Sequence, residues 1–170
     1  MGDDDKFDAI VVGAGPAGTT AAYLLAKKGL DVVVMERGQY PGAKNVFGGV
    51  LFTTILNRII HDFWDEAPLE RHIKGIKLFL LSENNTVSIG VDSEDHNKPQ
   101  YNNSFTVSRA KFDQWYAKKA EEAGAFIIND TIVDDLIWDN GKVVGVKTRR
   151  DDGDIYADVV ILADGVNSIL

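Results

Sequence analysis

Three glycines and one carboxylate carry the clearest chemistry in this sequence. Gly13, Gly15 and Gly18 stand in the run Gly13-Ala14-Gly15-Pro16-Ala17-Gly18, and Glu36 follows at the end of a later apolar run. A G-x-G-x-x-G turn with an acid about twenty residues on is the pattern of a dinucleotide site. Gly13 permits the tight turn, Gly15 has no Cβ to hold a diphosphate off the backbone, and Gly18 lets a helix lie close on a strand. The phosphates would meet the start of that helix, where unpaired N–H groups and the helix dipole favour an anion. Pro16 gives up no needed donor there. Glu36 would accept hydrogen bonds from ribose hydroxyls and repel a 2′-phosphate, which disfavours NADP and leaves NAD and FAD open.

These residues need a particular frame. Phe7 to Val12 reads as a buried strand, Pro16 to about Lys28 as a helix stopped by Gly29, and Val32 to Met35 as a second buried strand that delivers Glu36. Strand, turn, helix, strand and acid come in the order the motif requires. Beyond Arg37, the loop Pro41-Gly42-Ala43-Lys44-Asn45-Val46-Phe47-Gly48-Gly49 is glycine-rich, a place where backbone can press against a flat ring.

Composition narrows the field. With 170 residues and 45% hydrophobic content, one good core is expected, with an appendage. A net charge of −8, with no Lys/Arg cluster beyond the pairs Lys27-Lys28, Lys118-Lys119 and Arg149-Arg150, argues against nucleic acid and an anionic membrane surface. There is no cysteine, hence no disulfide, thiolate metal site or iron–sulfur ligand set in these residues, which suits a reducing, cytoplasmic compartment. His61, His72 and His96 show no metal-ligand spacing, and no catalytic residue is assigned. Glycines and a proline interrupt the apolar stretch Phe7 to Ala26, so it does not read as a signal or membrane segment.

Further along, Leu51, Phe52, Ile55, Leu56, Ile59 and Ile60 space as one helix face. From Gly75 the period becomes two: Ile76, Leu78 and Leu80, then a turn at Asn84-Asn85, then Val87, Ile89 and Val91 read as a hairpin. A polar loop over 92–103 leads to a short strand near Phe105 to Val107. Ser108 would cap a helix with Phe112, Trp115, Tyr116, Ala120 and Ala123 on its buried face, ending at Gly124. Arg109 sits in that helix's first turn, where a cation opposes the dipole. Ala125 to Ile128 reads as a third parallel strand. Ile132–Trp138, Val143–Thr148 and Asp154–Tyr156 read as an antiparallel meander, and Val159–Leu162 as a separate buried strand ending in Ala163-Asp164-Gly165.

Together the G-A-G-P-A-G turn with Glu36-Arg37, the R-A-K-F-D helix start at Arg109, the meander and the final A-D-G-V-N-S resemble the glutathione-reductase-type FAD-binding fold of the hydroxylase and geranylgeranyl reductase branch. The loop at Pro41 to Gly49, followed by Asp65-Glu66-Ala67-Pro68-Leu69-Glu70-Arg71, resembles more narrowly the FixC proteins, relatives of electron-transfer-flavoprotein:quinone oxidoreductase.

The resemblance implies an α/β fold: a Rossmann-like FAD-binding domain with a parallel sheet and an antiparallel meander, and a partial second β-sheet. Residues 1–6 are then a polar tail, 7–74 and 108–170 the FAD-binding domain, and 75–107 part of a substrate domain. It implies that Gly13, Ala14, Gly15, Pro16, Ala17 and Gly18 hold the FAD diphosphate, Glu36 the ribose, and Arg37 the edge of the adenosine half. Phe47, Gly48 and Gly49 would approach the flavin, Arg109 the phosphates or ribityl chain, Val133 the adenine, and Asp164 the flavin side. It implies electron transfer from an electron-transfer flavoprotein toward a quinone or a ferredoxin-like protein, with no metal and no nucleic acid. Family members continue well past the equivalent of Leu170, so the chain is expected to be an N-terminal portion, with any membrane contact made by parts beyond it. A geranylgeranyl reductase or hydroxylase is the alternative among enzymes, though many such reductases carry a cysteine where this loop has Phe47-Gly48-Gly49. A nucleotide-binding fragment without activity is the alternative outside them.

Overall fold

A computed structural model gives the fold, and it describes residues 6–94, 104–168 and 170. Most of the tail and residues 95–103 of the polar loop read over 92–103 lie outside these. In chain order the elements are β1 (Phe7–Val12), α1 (Pro16–Ala26), β2 (Val32–Met35), β3 (Gly48–Phe52), α2 (Thr54–Ile59), a one-turn 3-10 helix (Phe63–Asp65), β4 (Leu69–His72), β5 (Gly75–Leu81), β6 (Thr86–Asp92), β7 (Ser104–Ser108), α3 (Arg109–Glu122), β8 (Phe126–Ile128), β9 (Val133–Asp139), β10 (Lys142–Thr148) and β11 (Ile155–Leu162). They fall into two compact units, Met1–Val46 with Arg109–Leu170, and Phe47–Ser108.

The first unit is α/β. Its six-stranded sheet runs β8-β2-β1-β11-β10-β9, parallel across the first four strands and antiparallel over the last two junctions. Both faces are covered from Ala9 to Val12 of β1 and throughout β2, which is why these residues read as unbroken apolar runs and not as alternation. Ala9, Val11, Val32 and Val34 pack with Ala22, Ala26 and Ala120 of the helices, where small side chains allow close approach. Ile10, Val12, Val33 and Met35 pack on the opposite face with Val133, Val146 and Ala157. The helices are also tied to each other: the Tyr116 hydroxyl lies 2.8 Å from Thr20 Oγ1, which itself donates to the Pro16 carbonyl at 2.6 Å. Burial raises the Tyr116 pKa above the ordinary value, against the opposing pull of the Thr20 bond.

One strand differs from the sequence reading. Asp154–Tyr156 and Val159–Leu162 are not separate strands; β11 is continuous from Ile155 to Leu162. Its start pairs antiparallel with β10, Ile155 opposite Val146, and its remainder pairs parallel with β1, from Phe7 opposite Ala157 to Val12 opposite Leu162. Ala157 and the acid Asp158 lie between the two stretches. Ala157 instead packs inward and Asp158 faces solvent, where Lys6 meets it at 2.6 Å.

In the second unit, β3, β7 and β4 form a three-stranded antiparallel sheet, and β5 and β6 form a two-stranded hairpin. Phe63 and Phe105 meet edge to face with centroids 6.2 Å apart, a packing that favours the aromatic quadrupoles. The helix read over Leu51 to Ile60 is corrected here. Leu51 and Phe52 belong to β3, opposite Phe105 and Ser104 of β7, and only Thr54–Ile59 is helical. Pairing with a distant strand overrides the local helical spacing. Strand β4, which has no counterpart in the sequence reading, forms for the same reason, with Leu69 and His72 opposite Val107 and Phe105. In the hairpin, Ile76 faces Val91, Leu78 faces Ile89 and Leu80 faces Val87, giving one aliphatic face that is exposed.

Candidate functional site

The glycine turn leaves β1 at Gly13, whose φ of +100° few side-chain-bearing residues adopt. Its N–H donates to the Met35 carbonyl at 2.8 Å, and a Cβ added there would lie 2.6 Å from the Ala163 carbonyl oxygen. A Cβ at Gly18 would fall on the Gly13 carbonyl oxygen, so that glycine lets α1 lie on the turn. Gly15 is different. A Cβ there would meet nothing within 4 Å, and its φ of −73° suits any residue. The absent side chain is spared for the space in front of the turn. Gly15 caps α1 without a side-chain hydrogen bond, and no acidic residue occupies the first turn, so the helix start presents its N–H groups without a local acceptor.

Glu36 closes this turn from the end of β2. Its Oε2 accepts the Ala14 N–H at 2.9 Å and its Oε1 accepts the Gly38 N–H at 2.7 Å. A carboxylate oxygen has two acceptor directions, so each retains one for a ligand hydroxyl.

In front of these groups opens a cavity of about 440 Å³. Of the residues singled out in the sequence, Gly13, Gly15, Pro16, Ala17, Glu36, Arg37, Arg109, Val133 and Asp164 line it, brought together from the ends of β1, β2 and β11, the start of β9 and the first turns of α1 and α3. Ala14 and Gly18 stand behind the turn and do not line it. Phe47, Gly48 and Gly49 belong to the second unit and are not among the lining residues. Asp164 Oδ2 is buried and has no hydrogen-bond partner, a costly state for a carboxylate oxygen unless a ligand donor meets it.

Lys44 and Asn45 of the glycine-rich loop and Thr131 also line the cavity, and Asp113, the acid of the R-A-K-F-D run, lies behind it; none of the four stood out individually in the sequence. Asp113 accepts Arg109 Nε at 2.9 Å and Nη2 at 2.8 Å. That pair settles the apparent conflict of a cation in the first turn of α3: the acid four residues on holds it. The i,i+4 spacing was the available signal. Among the described residues, no group of three or more His, Cys, Asp or Glu could hold a metal ion, and no helix is long and apolar enough to cross a membrane.

Known proteins are similar to this chain in sequence and in fold. The Thi4 family matches residues 3–76. The likeness to FixC read from the sequence holds over nearly the whole chain. Protein FixC of Azorhizobium caulinodans is 48% identical over 168 residues, covering 98% of this chain and 38% of that protein. The chain therefore spans well under half the length of the FixC proteins it matches. Among solved structures, a geranylgeranyl bacteriochlorophyll reductase-like protein from Thermoplasma acidophilum is 30% identical with a TM-score of 0.77, covering 98% of this chain and 43% of that one. The myxobacterial chondrochloren halogenase, a variant of the FAD-dependent halogenases, is 25% identical with a TM-score of 0.79, covering 96% and 38%.

Proposed function

We propose that this FixC-like chain carries the dinucleotide-binding part of an FAD-dependent oxidoreductase that passes electrons from an electron-transfer flavoprotein toward a quinone or a ferredoxin-like protein. One observation supports FAD most: the open face of Gly15, the free acceptor directions of Glu36 and the unpartnered Asp164 Oδ2 all line one cavity. They match a diphosphate, a ribose and a further donor group of one long ligand. The relatives, FixC proteins and an FAD-dependent halogenase, support the same reading.

When bound, FAD supplies the redox chemistry, and the chain supplies binding and orientation. Backbone N–H groups from Gly15 into α1 receive the diphosphate. Glu36 accepts ribose hydroxyls. Asp164 accepts a hydrogen bond from the ligand through Oδ2, and Val133, at the start of β9, offers apolar wall and backbone to the adenine. The first unit is the FAD-binding domain, and the second contributes strands toward a substrate domain. The flavin-end role of Phe47, Gly48 and Gly49 and the identity of the electron partners rest on the family resemblance.

A geranylgeranyl reductase-like reading draws on the Thermoplasma structure, but identity to FixC is higher, 48% against 30%, and the chain has no cysteine. The deciding experiment is titration of the purified chain with FAD, ADP and NAD, following melting temperature and retained yellow colour. FAD at a thousandfold over its dissociation constant adds about 4 kcal/mol of stability. Equal stabilisation by ADP and FAD with no retained flavin indicates a nucleotide-binding module. Stabilisation by NAD and not FAD refutes the proposal.

A further inference from the structure

We infer that Asp113 is a positioning residue for the cofactor cavity, a buried anion that sets Arg109 and the Gly42–Asn45 loop in place before ligand arrives. The inference rests on the FAD reading for the identity of the ligand. The Asp113 side chain is wholly buried and does not line the cavity, while Arg109 and Asn45 do. A buried carboxylate is tolerated only when donors surround it. Here Oδ1 takes Arg109 Nε, and Oδ2 takes both Arg109 Nη2 and Asn45 Nδ2, the last at 3.2 Å.

The backbone beside it is built to match. Gly42 has a φ of +87°, and a Cβ there would lie 2.9 Å from Asp113 Cβ and 3.1 Å from the Arg109 carbonyl oxygen. The loop therefore lies directly on the first turn of α3, and Asn45 N–H closes it by donating to the Gly42 carbonyl at 2.9 Å. One carboxylate thus joins two separate pieces of cavity wall. Because Asp113 takes the Nε and one Nη2 proton, the Nη1 protons of the guanidinium remain for an anionic ligand group. Because it also offsets the charge, Arg109 acts as an oriented donor fork more than as a bare cation. Lysine, with a single donor point, cannot meet Asp113 and a ligand in the same way.

The test is a double-mutant cycle on FAD affinity, measured by calorimetry with the whole chain and repeated with ADP. Arg109→Gln and Asp113→Asn are each expected to weaken FAD about tenfold, and the double variant no more than either alone, as for residues that act as one unit. Arg109→Lys is expected to behave like Arg109→Gln. Losses that multiply in the double variant, or Asp113→Asn that lowers the melting temperature while leaving FAD affinity unchanged, overturn the inference. If Asp113→Asn does not fold, Asn45→Ala decides: severalfold weaker FAD binding supports it, and unchanged affinity rejects it. A wild type that binds ADP but not FAD rejects the FAD reading alone, and the ADP cycle then settles Asp113. A wild type that binds neither rejects both.

Discussion

The carboxylate of Glu36 holds the backbone N–H of Ala14 at 2.9 Å, so the acid at the end of β2 fastens the glycine turn at the end of β1. A residue known from the sequence pattern only as a ligand contact is also part of the scaffold. Glu36→Ala is therefore expected to do two things: weaken FAD binding more than tenfold, and lower the stability of the ligand-free chain by about 1–2 kcal/mol, since two backbone donors lose a charged acceptor. Urea unfolding without ligand measures the second effect alone. An unchanged midpoint would show that the Ala14 bond contributes nothing.

Gly15 and Gly18 should fail in opposite ways. Gly15→Val is expected to leave the ligand-free melting temperature within a few degrees, because its Cβ enters open space, yet to abolish FAD binding. Gly18→Ala forces α1 off the turn against the Gly13 carbonyl and is expected to cost more than about 2 kcal/mol. Thermal melts with and without FAD separate the two.

Tyr116 gives a pH signature. Its folded pKa is raised by burial above the ordinary 10.0, so between those values the unfolded chain has lost a proton that the folded chain keeps. The stability it contributes is complete below pH 10 and falls as pH rises through the folded pKa. Tyr116→Phe is expected to lower stability by about 1 kcal/mol at neutral pH through loss of the Thr20 bond, and to flatten the decline above pH 10. Denaturant midpoints at pH 8, 10 and 11 compare the two proteins.

The aliphatic face of the β5–β6 hairpin is an association hazard, with Leu78 59% and Ile89 64% exposed. Leu78→Lys with Ile89→Glu, a facing pair, is expected to change stability by less than about 0.5 kcal/mol and to reduce light scattering of concentrated solutions. A large loss of stability would mean that the face is packed in solution.

What the sequence disclosed was what is local. Strand, turn, helix, strand and Glu36 lie within one βαβ unit whose spacing is fixed by its own backbone, so the order from Gly13 to Glu36 is legible in the sequence alone. The segment Leu51-Phe52 could not, because its strand exists through Ser104 and Phe105, some fifty residues away. The union of two apparent strands in β11 depends likewise on β1. At the cavity, Arg109 was visible as a local conflict with the helix dipole and the Gly42 loop by its glycines, whereas the bond from Asn45 to Asp113 is a tertiary contact with no sequence period of its own.

Strand β11 also bears on how the protein is made. Phe7 waits for Ala157 as its sheet partner, and Val12 for Leu162. On a ribosome adding about 5–20 residues per second, β1 then spends many seconds with one apolar edge open. Helix α1 and β2 can assemble beside it early, but closing so long a loop is slow and leaves that edge available to other chains meanwhile. Synthesis interrupted before Ile155 would leave a translation intermediate with half a sheet, a natural client for a holding chaperone.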